Sequence, residues 1–346
     1  MFRPTAAFVL LLTASPAFAQ EPLDLRLPGA LDKFVEQSCA NAAHPAPFET
    51  LDLSISPAPL DPQDVGVTLP PGVSFAGGWQ LQFRDEVFGG LSGLAILPDG
   101  DFLSVTDTGR FVRIGRDNAE PLARAEIAEM RFSNPLVRPG KLTADAEGLD
   151  VSDGIALVSF ERDFRVLAFA LERCGAVARG IEIADPPSRY GLRPIRANAG
   201  PEALWIDENS RVRLLYEQLR DDRPVAATVT DDSRARLETL VPVPPLEPGF
   251  RPVGADQVDD PGVTAHLYRA YDRESGNRVR LDLLPIGAEP VVIRLAPPLA
   301  TDNFEGVAME GTEDGLRVWI VSDDNFSDRQ RTLLYAFDVT RSALSP

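Results

Sequence analysis

Acidic residues recur along this chain at matching places. Glu147, Glu202 and Glu305 each open a short apolar run, Ser92 stands in the corresponding place of an earlier segment, and Asp107, Glu161, Glu217 and Asp323-Asp324 close the runs that follow. Carboxylates at close quarters raise one another's pKa unless a cation neutralises them, and a hard divalent cation does this well. Calcium takes about 6–8 oxygen ligands from carboxylates, amide oxygens and water. Asn198, Asp302, Asn303 and Asn325 would add such oxygens. The metal ligands expected on this reading are Asp107, Glu147, Glu161, Glu202, Glu305 and Asp323. Zinc and softer metals are disfavoured, because His44 and His266 share no ligand-like spacing and Cys39 and Cys174 form no Cys-x-x-Cys pair.

Arginines accompany the same acids: Arg110 follows Asp107, Arg162 follows Glu161, and Arg329 and Arg331 follow Asp323-Asp324. With only Lys33 and Lys141 as lysines, the cations are nearly all planar guanidinium groups suited to carboxylate and phosphate oxygens. A hydrolytic set then consists of Glu147, Glu202 and Glu305 around a metal that polarises a phosphoryl or carbonyl oxygen and activates water, with Arg110, Arg162 and Arg331 steadying the developing charge. The structural alternative is that these acids cap turns and pair with the neighbouring arginines. Nucleophile chemistry has little support: Gly90-Leu91-Ser92-Gly93 lacks the Gly-x-Ser-x-Gly spacing, and a triad would have to recruit His266 from an alternating strand pattern. Walker loops, dinucleotide fingerprints and His-Glu-x-x-His are absent from the sequence.

The elements that must position these residues repeat. Segments Gly89 to Ile114, Asp145 to Phe169, Asn198 to Gln218 and Asp302 to Phe337 share one plan: a small or acidic opening, a strand, a turn such as Pro98-Asp99-Gly100 or Glu313-Asp314-Gly315, and a second strand ending in an acid. Val263 to Ile286 has the hairpin without the acidic opening. Openings at 89, 145, 198 and 302 give a spacing of about 55 residues, with the last gap wide enough for two units. An all-β chain of this kind reads as a β-propeller of five or six blades, the region Phe75 to Phe83 supplying closing strands. Equivalent positions of successive blades are related by rotation about one axis, so acids distant in sequence face one another at the channel. The competing architecture is an irregular β-sandwich.

Residues 1–19 end in Ala17-Phe18-Ala19 after an apolar run and read as a secretory signal cleaved after Ala19; residues 20–72 read as an N-terminal leader packed on the propeller, with a helix-compatible stretch at Leu27 to Cys39, and residues 73–340 as the propeller domain. The 31 prolines and 26 glycines fit a turn-rich β chain. No apolar run reaches the roughly 20 residues of a membrane span. Periplasm or medium is the expected destination, where Cys39 and Cys174 are able to pair; a disulfide and two buried thiols are both compatible with the sequence. A formal net charge of −18 repels phosphate backbones and argues against nucleic acid, while favouring multivalent cations.

Taken in order, Phe88-Gly89-Gly90-Leu91-Ser92-Gly93-Leu94, Thr106-Asp107-Thr108-Gly109-Arg110, Asp145-Ala146-Glu147-Gly148-Leu149, Phe160-Glu161-Arg162, Asn198-Ala199-Gly200-Pro201-Glu202-Ala203-Leu204, Asn303-Phe304-Glu305-Gly306 and Ser322-Asp323-Asp324-Asn325-Phe326 with Gln330-Arg331-Thr332 resemble the phytase-like family, the esterase-like activity of phytase domain. The resemblance spans about residues 73–340. It implies a secreted propeller that hydrolyses small phosphoester or carboxylic ester substrates, and by analogy with β-propeller phytases it implies calcium. A non-catalytic envelope propeller that binds a ligand or protein around structural calcium is the competing class, and a lactonase-like or sugar-acid hydrolase is a third.

Overall fold

The computed structural model describes residues 30–39, 45–84, 88–117, 120–133, 140–141, 143–229, 235–239 and 245–345. The expected signal segment 1–19, the rest of the stretch before Ala30, and residues 40–44 with His44 lie outside the described residues.

Strands formed by short runs of Val, Ile, Leu and Phe between Gly-, Asp- and Pro-containing turns assemble into a five-bladed β-propeller. Each blade is an antiparallel meander whose first strand is innermost. These inner strands are Leu91–Ile96, Ala146–Ser152, Pro201–Ile206, Arg251–Val258 and Asn303–Thr312, in blades 1 to 5. Each packs on the next, and the last returns to the first. The wide gap before residue 302 holds one further blade, the fourth, whose hairpin Val263–Asp272 and Gly276–Pro285 is the unit that carries no acidic opening.

Closure of the ring is shared between the two ends of the chain. Val73–Phe83 pairs with Thr332–Thr340 in blade 5, and Leu53–Pro57 adds outside it. Just before, Glu49–Leu51 joins the outer edge of blade 1 through Glu120–Glu129. The helix Ala30–Cys39 lies against the outside of blade 2, where Ser38 Oγ donates to the Arg179 carbonyl and accepts from the Ala170 N–H. Cys39 forms a disulfide with Cys174, so of the two states the sequence allowed for these thiols the paired one holds. Cores between blades are built from buried aromatic and branched side chains, including Phe111 against Phe169 and Trp319 against Phe102. Among the described residues no helix is long and apolar enough to cross a membrane.

Candidate metal site

One irregularity, repeated in every blade, creates the site. Near its start each inner strand carries a bulge against the second strand: the pairing breaks between Leu91 and Leu94, Ala146 and Leu149, Pro201 and Ala203, Pro252 and Gly254, and Phe304 and Gly306. A bulge inserts a residue that escapes the alternation of the strand and re-aims a side chain. Ser92, Glu147, Glu202, Val253 and Glu305 occupy these five places. A glycine follows the bulged residue in four blades, because the neighbouring inner strand lies against it: a Cβ on Gly306 would stand 2.3 Å from the Ser92 carbonyl oxygen, and one on Gly93 2.6 Å from that of Glu147. Backbone groups freed by the bulge find side-chain partners, as where Ser159 Oγ accepts from the Gly148 N–H and donates to the Pro201 carbonyl of the next blade.

The second strands contribute a parallel set. Thr106, Phe160, Tyr216, Tyr268 and Ser322 make the last pair before each bulge. The residues that follow them are Asp107, Glu161, Glu217, Arg269 and Asp323, so the series of acids is interrupted at blade 4 by an arginine.

Carboxylate oxygens of Asp145, Glu147 and Glu161 come within 4.8 Å of one another, a spacing that can hold a cation. Asp145 is buried, and its Oδ1 has no hydrogen-bond partner among the described residues. Its Oδ2 accepts from Arg162 Nε at 2.6 Å. Burial first, then the charges of Glu305, Asp145 and Glu161, push the Glu147 carboxyl well above the usual range, against the opposing effect of a hydrogen bond from Ser92. Glu161 is pushed up to about 7, mainly by burial, although it shares a hydrogen bond with Glu202. Glu202 is raised well above its ordinary value by burial and by Glu147 and Glu161. Blade 5 completes the ring. Asn303 Nδ2 donates to Glu305 Oε1 at 2.8 Å and to Asp323 Oδ2 at 3.4 Å, and burial lifts Asp323 to about 8. On blade 1, Asp107 Oδ2 accepts from Lys141 Nζ at 2.6 Å, and its buried Oδ1 has no partner among the described residues.

The expected residues are thus distributed as follows. Asp107, Glu147, Glu161, Glu202, Glu305 and Asp323 all interact around the mouth of the channel. The three expected arginines stand one step back: Arg162 on Asp145, Arg331 on Asp302 at 3.3 Å, and Arg110 on Thr108 Oγ1 at 2.7 Å. Sequence reading passed over Asp145 as a ligand, Lys141 as a partner of the ring, and Arg269, whose Nη2 lies 3.3 Å from Glu305 Oε1. For Arg269 the signal lay in its position after Tyr268, visible only once the strand register is known. His266 is buried against Trp205 and Tyr268, with no described serine partner; burial, then Arg213, lowers it to about 3, so it is neutral.

A hard divalent cation fits this donor set. The oxygens are carboxylates and an amide, two buried carboxylate oxygens lack partners, and the carboxyls cannot all ionise together without a countercharge. Beside the ring, a groove of about 560 Å³ over the rim of blade 5 is lined by Phe83, Phe88, Asp324, Phe326 and Arg331.

A family model described as phytase-like, esterase-like activity of phytase, matches residues 86–326. No curated protein matches in sequence. Among solved structures, the chain is similar to the PQQ-bound form of an aldose sugar dehydrogenase from Streptomyces coelicolor, with 13% identity, 78% of this chain and 100% of that one covered, and a TM-score of 0.42. It is also similar to the glutaminyl cyclase of Myxococcus xanthus, with 15% identity, 78% and 97% covered, and a TM-score of 0.42. An endo-arabinase from Bacteroides thetaiotaomicron shares 11% identity over 72% of this chain and 94% of that one, with a TM-score of 0.41.

Proposed function

The chain belongs to the phytase-like family, and from that premise we propose that it is an exported, calcium-dependent hydrolase of small phosphoester or carboxylic ester substrates. The observation that carries this reading is the approach of Asp145, Glu147 and Glu161 within 4.8 Å, with a buried Asp145 oxygen left unpartnered. Bound there, a divalent cation would act as a Lewis acid on the ester or phosphoryl oxygen and lower the pKa of water. The protein's own groups divide the remaining work. Glu202, raised well above the usual carboxyl range by burial and by Glu147, is placed to hand a proton to a leaving oxygen. Arg162 fixes Asp145 through its 2.6 Å ion pair, and Asn303 fixes Glu305 at 2.8 Å. Export is supported by the signal-like residues 1–19 and by the Cys39–Cys174 disulfide, a bond that persists in oxidising compartments.

The test is hydrolysis of a panel of phosphomonoesters, phosphodiesters and carboxylic esters with calcium and with chelator. Activity that appears with calcium and falls by roughly 100-fold or more in Glu202→Gln, with the fold intact, supports the reading. No metal-dependent hydrolysis on the whole panel would sink it. The ion pairs Arg162–Asp145 and Arg331–Asp302 favour a second reading, a binding platform with structural calcium. In that case Glu202→Gln lowers the melting temperature and there is no activity to lose.

A further inference from the structure

Blade 4 departs from blades 2, 3 and 5 at both of the places that carry their acids. Its bulge position holds Val253 where blades 2, 3 and 5 hold Glu147, Glu202 and Glu305. On its second strand, just after the residue that makes the last pair before the bulge, it holds Arg269 where blades 1, 2, 3 and 5 hold Asp107, Glu161, Glu217 and Asp323. The acids therefore come from blades 1, 2, 3 and 5, while blade 4 contributes the Arg269 guanidinium and a Val253 that is buried in the core with Leu267 and Phe304.

Arg269 is also held less tightly than Arg162 and Arg331, the two arginines that the other blades place beside the ring. Arg162 makes a 2.6 Å hydrogen bond to Asp145, and Arg331 is held on Asp302 through both its backbone N–H and its Nε. Arg269 reaches Glu305 with Nη2 at 3.3 Å, while its Nε, like those of Arg165 and Arg278, is buried and has no hydrogen-bond partner among the described residues. A buried guanidinium N–H without an acceptor is costly, and the fork geometry of the group suits two oxygens of one planar or tetrahedral anion. Val253 offers no carboxylate of its own blade to satisfy it.

We propose that Arg269 is the substrate-anion binding residue of this site, taking an oxyanion of the substrate, phosphate or carboxylate, on the side of the channel away from Asp145, Glu147 and Glu161. The inference rests on the proposed function and sharpens it: the substrate carries a negative charge adjacent to the bond that is cleaved. Because carboxylates surround the guanidinium, an anion enters well only when the acidic arc is neutralised, so anion binding strengthens with calcium.

Calorimetric titration of inorganic phosphate and of acetate into the wild type and into Arg269→Met and Arg269→Lys, each with and without calcium, tests this. Calcium alone is titrated into all three proteins in parallel. The expected result is calcium binding by all three, with anion binding weakened roughly 10- to 100-fold in Arg269→Met and less in Arg269→Lys. A loss confined to phosphate identifies a phosphoester substrate, and one confined to acetate a carboxylated one. Equal anion affinity in wild type and Arg269→Met overturns the proposal while leaving the calcium site standing. If the wild type takes up no calcium, the proposed function falls, and anion titrations of the metal-free proteins at pH 5, where protonation neutralises the arc, still decide Arg269. Should Arg269→Met fail to fold because Glu305 loses its partner, Arg269→Met/Glu305→Gln compared with Glu305→Gln alone gives the same readout.

Discussion

Glu147, Glu202, Glu161 and Asp323 share a problem of charge. All four are pushed upward, chiefly by burial and further by neighbouring carboxylates, Glu161 to about 7 and Asp323 to about 8. An unfolded carboxyl titrates near 4, so these groups bind protons more tightly in the folded state. Their contribution to stability is complete below about pH 4 and is lost as pH rises through about 7 to 8. Metal-free protein is accordingly expected to melt at a lower temperature at pH 8 than at pH 5, by roughly 5 °C or more. Calcium should remove most of that difference. A scan of melting temperature against pH, with calcium and with chelator, checks both statements, and a flat metal-free profile would contradict them. Glu161→Gln takes one charge from the ligand set and should weaken calcium about tenfold or more by calorimetry. The acids of this ring were legible in the sequence because the same residue type recurs at the same place in the repeat. Arg269 was not, because its position has meaning only through the Pro252–Tyr268 pairing.

At the scale of the element, the inner strand does two jobs. It must lie close to the next inner strand and must also turn one side chain out of its regular alternation. The bulge with its following glycine meets both demands, since a Cβ on Gly148 would lie 2.5 Å from the Leu204 nitrogen and one on Gly254 2.6 Å from the Glu305 carbonyl oxygen. Side chains also stitch blade to blade: Asp150 Oδ2 accepts from the Ile206 N–H at 2.6 Å, and Asp256 Oδ2 from that of Met309 at 2.6 Å. Gly306→Ala should cost about 1–3 kcal/mol in denaturant unfolding, because the obstructing Ser92 oxygen belongs to a backbone that cannot swing aside. A substitution without effect would mean that the inner strands separate freely and that the ring is looser than its geometry. These glycines stand in plain sight in Gly148, Gly254 and Gly306, yet their role needs the neighbouring blade to be in place.

For the whole molecule, stability depends on joining the two ends of a ring. Val73–Phe83 closes blade 5 against Thr332–Thr340, and the Cys39–Cys174 disulfide ties the preceding helix to blade 2 across 135 residues of chain. Constraining so long a loop in the unfolded state is worth roughly 2–5 kcal/mol. Cys39→Ser/Cys174→Ser should therefore melt several degrees lower than wild type, while calcium binding, located at the channel, stays unchanged. A loss of calcium affinity in that variant would show that the helix supports the site as well as the ring. The sequence by itself determined the all-β class, the repeated hairpin and the acids that recur with it, because a period of about 55 residues and strand-length apolar runs are local properties of the chain. Tertiary structure alone decided the number of blades, the pairing of the cysteines, the meeting of Asp145 with Glu147 and Glu161, and the place of Arg269. Each of these depends on register and on closure about a common axis, which relate residues far apart in the chain and leave no mark on any one segment.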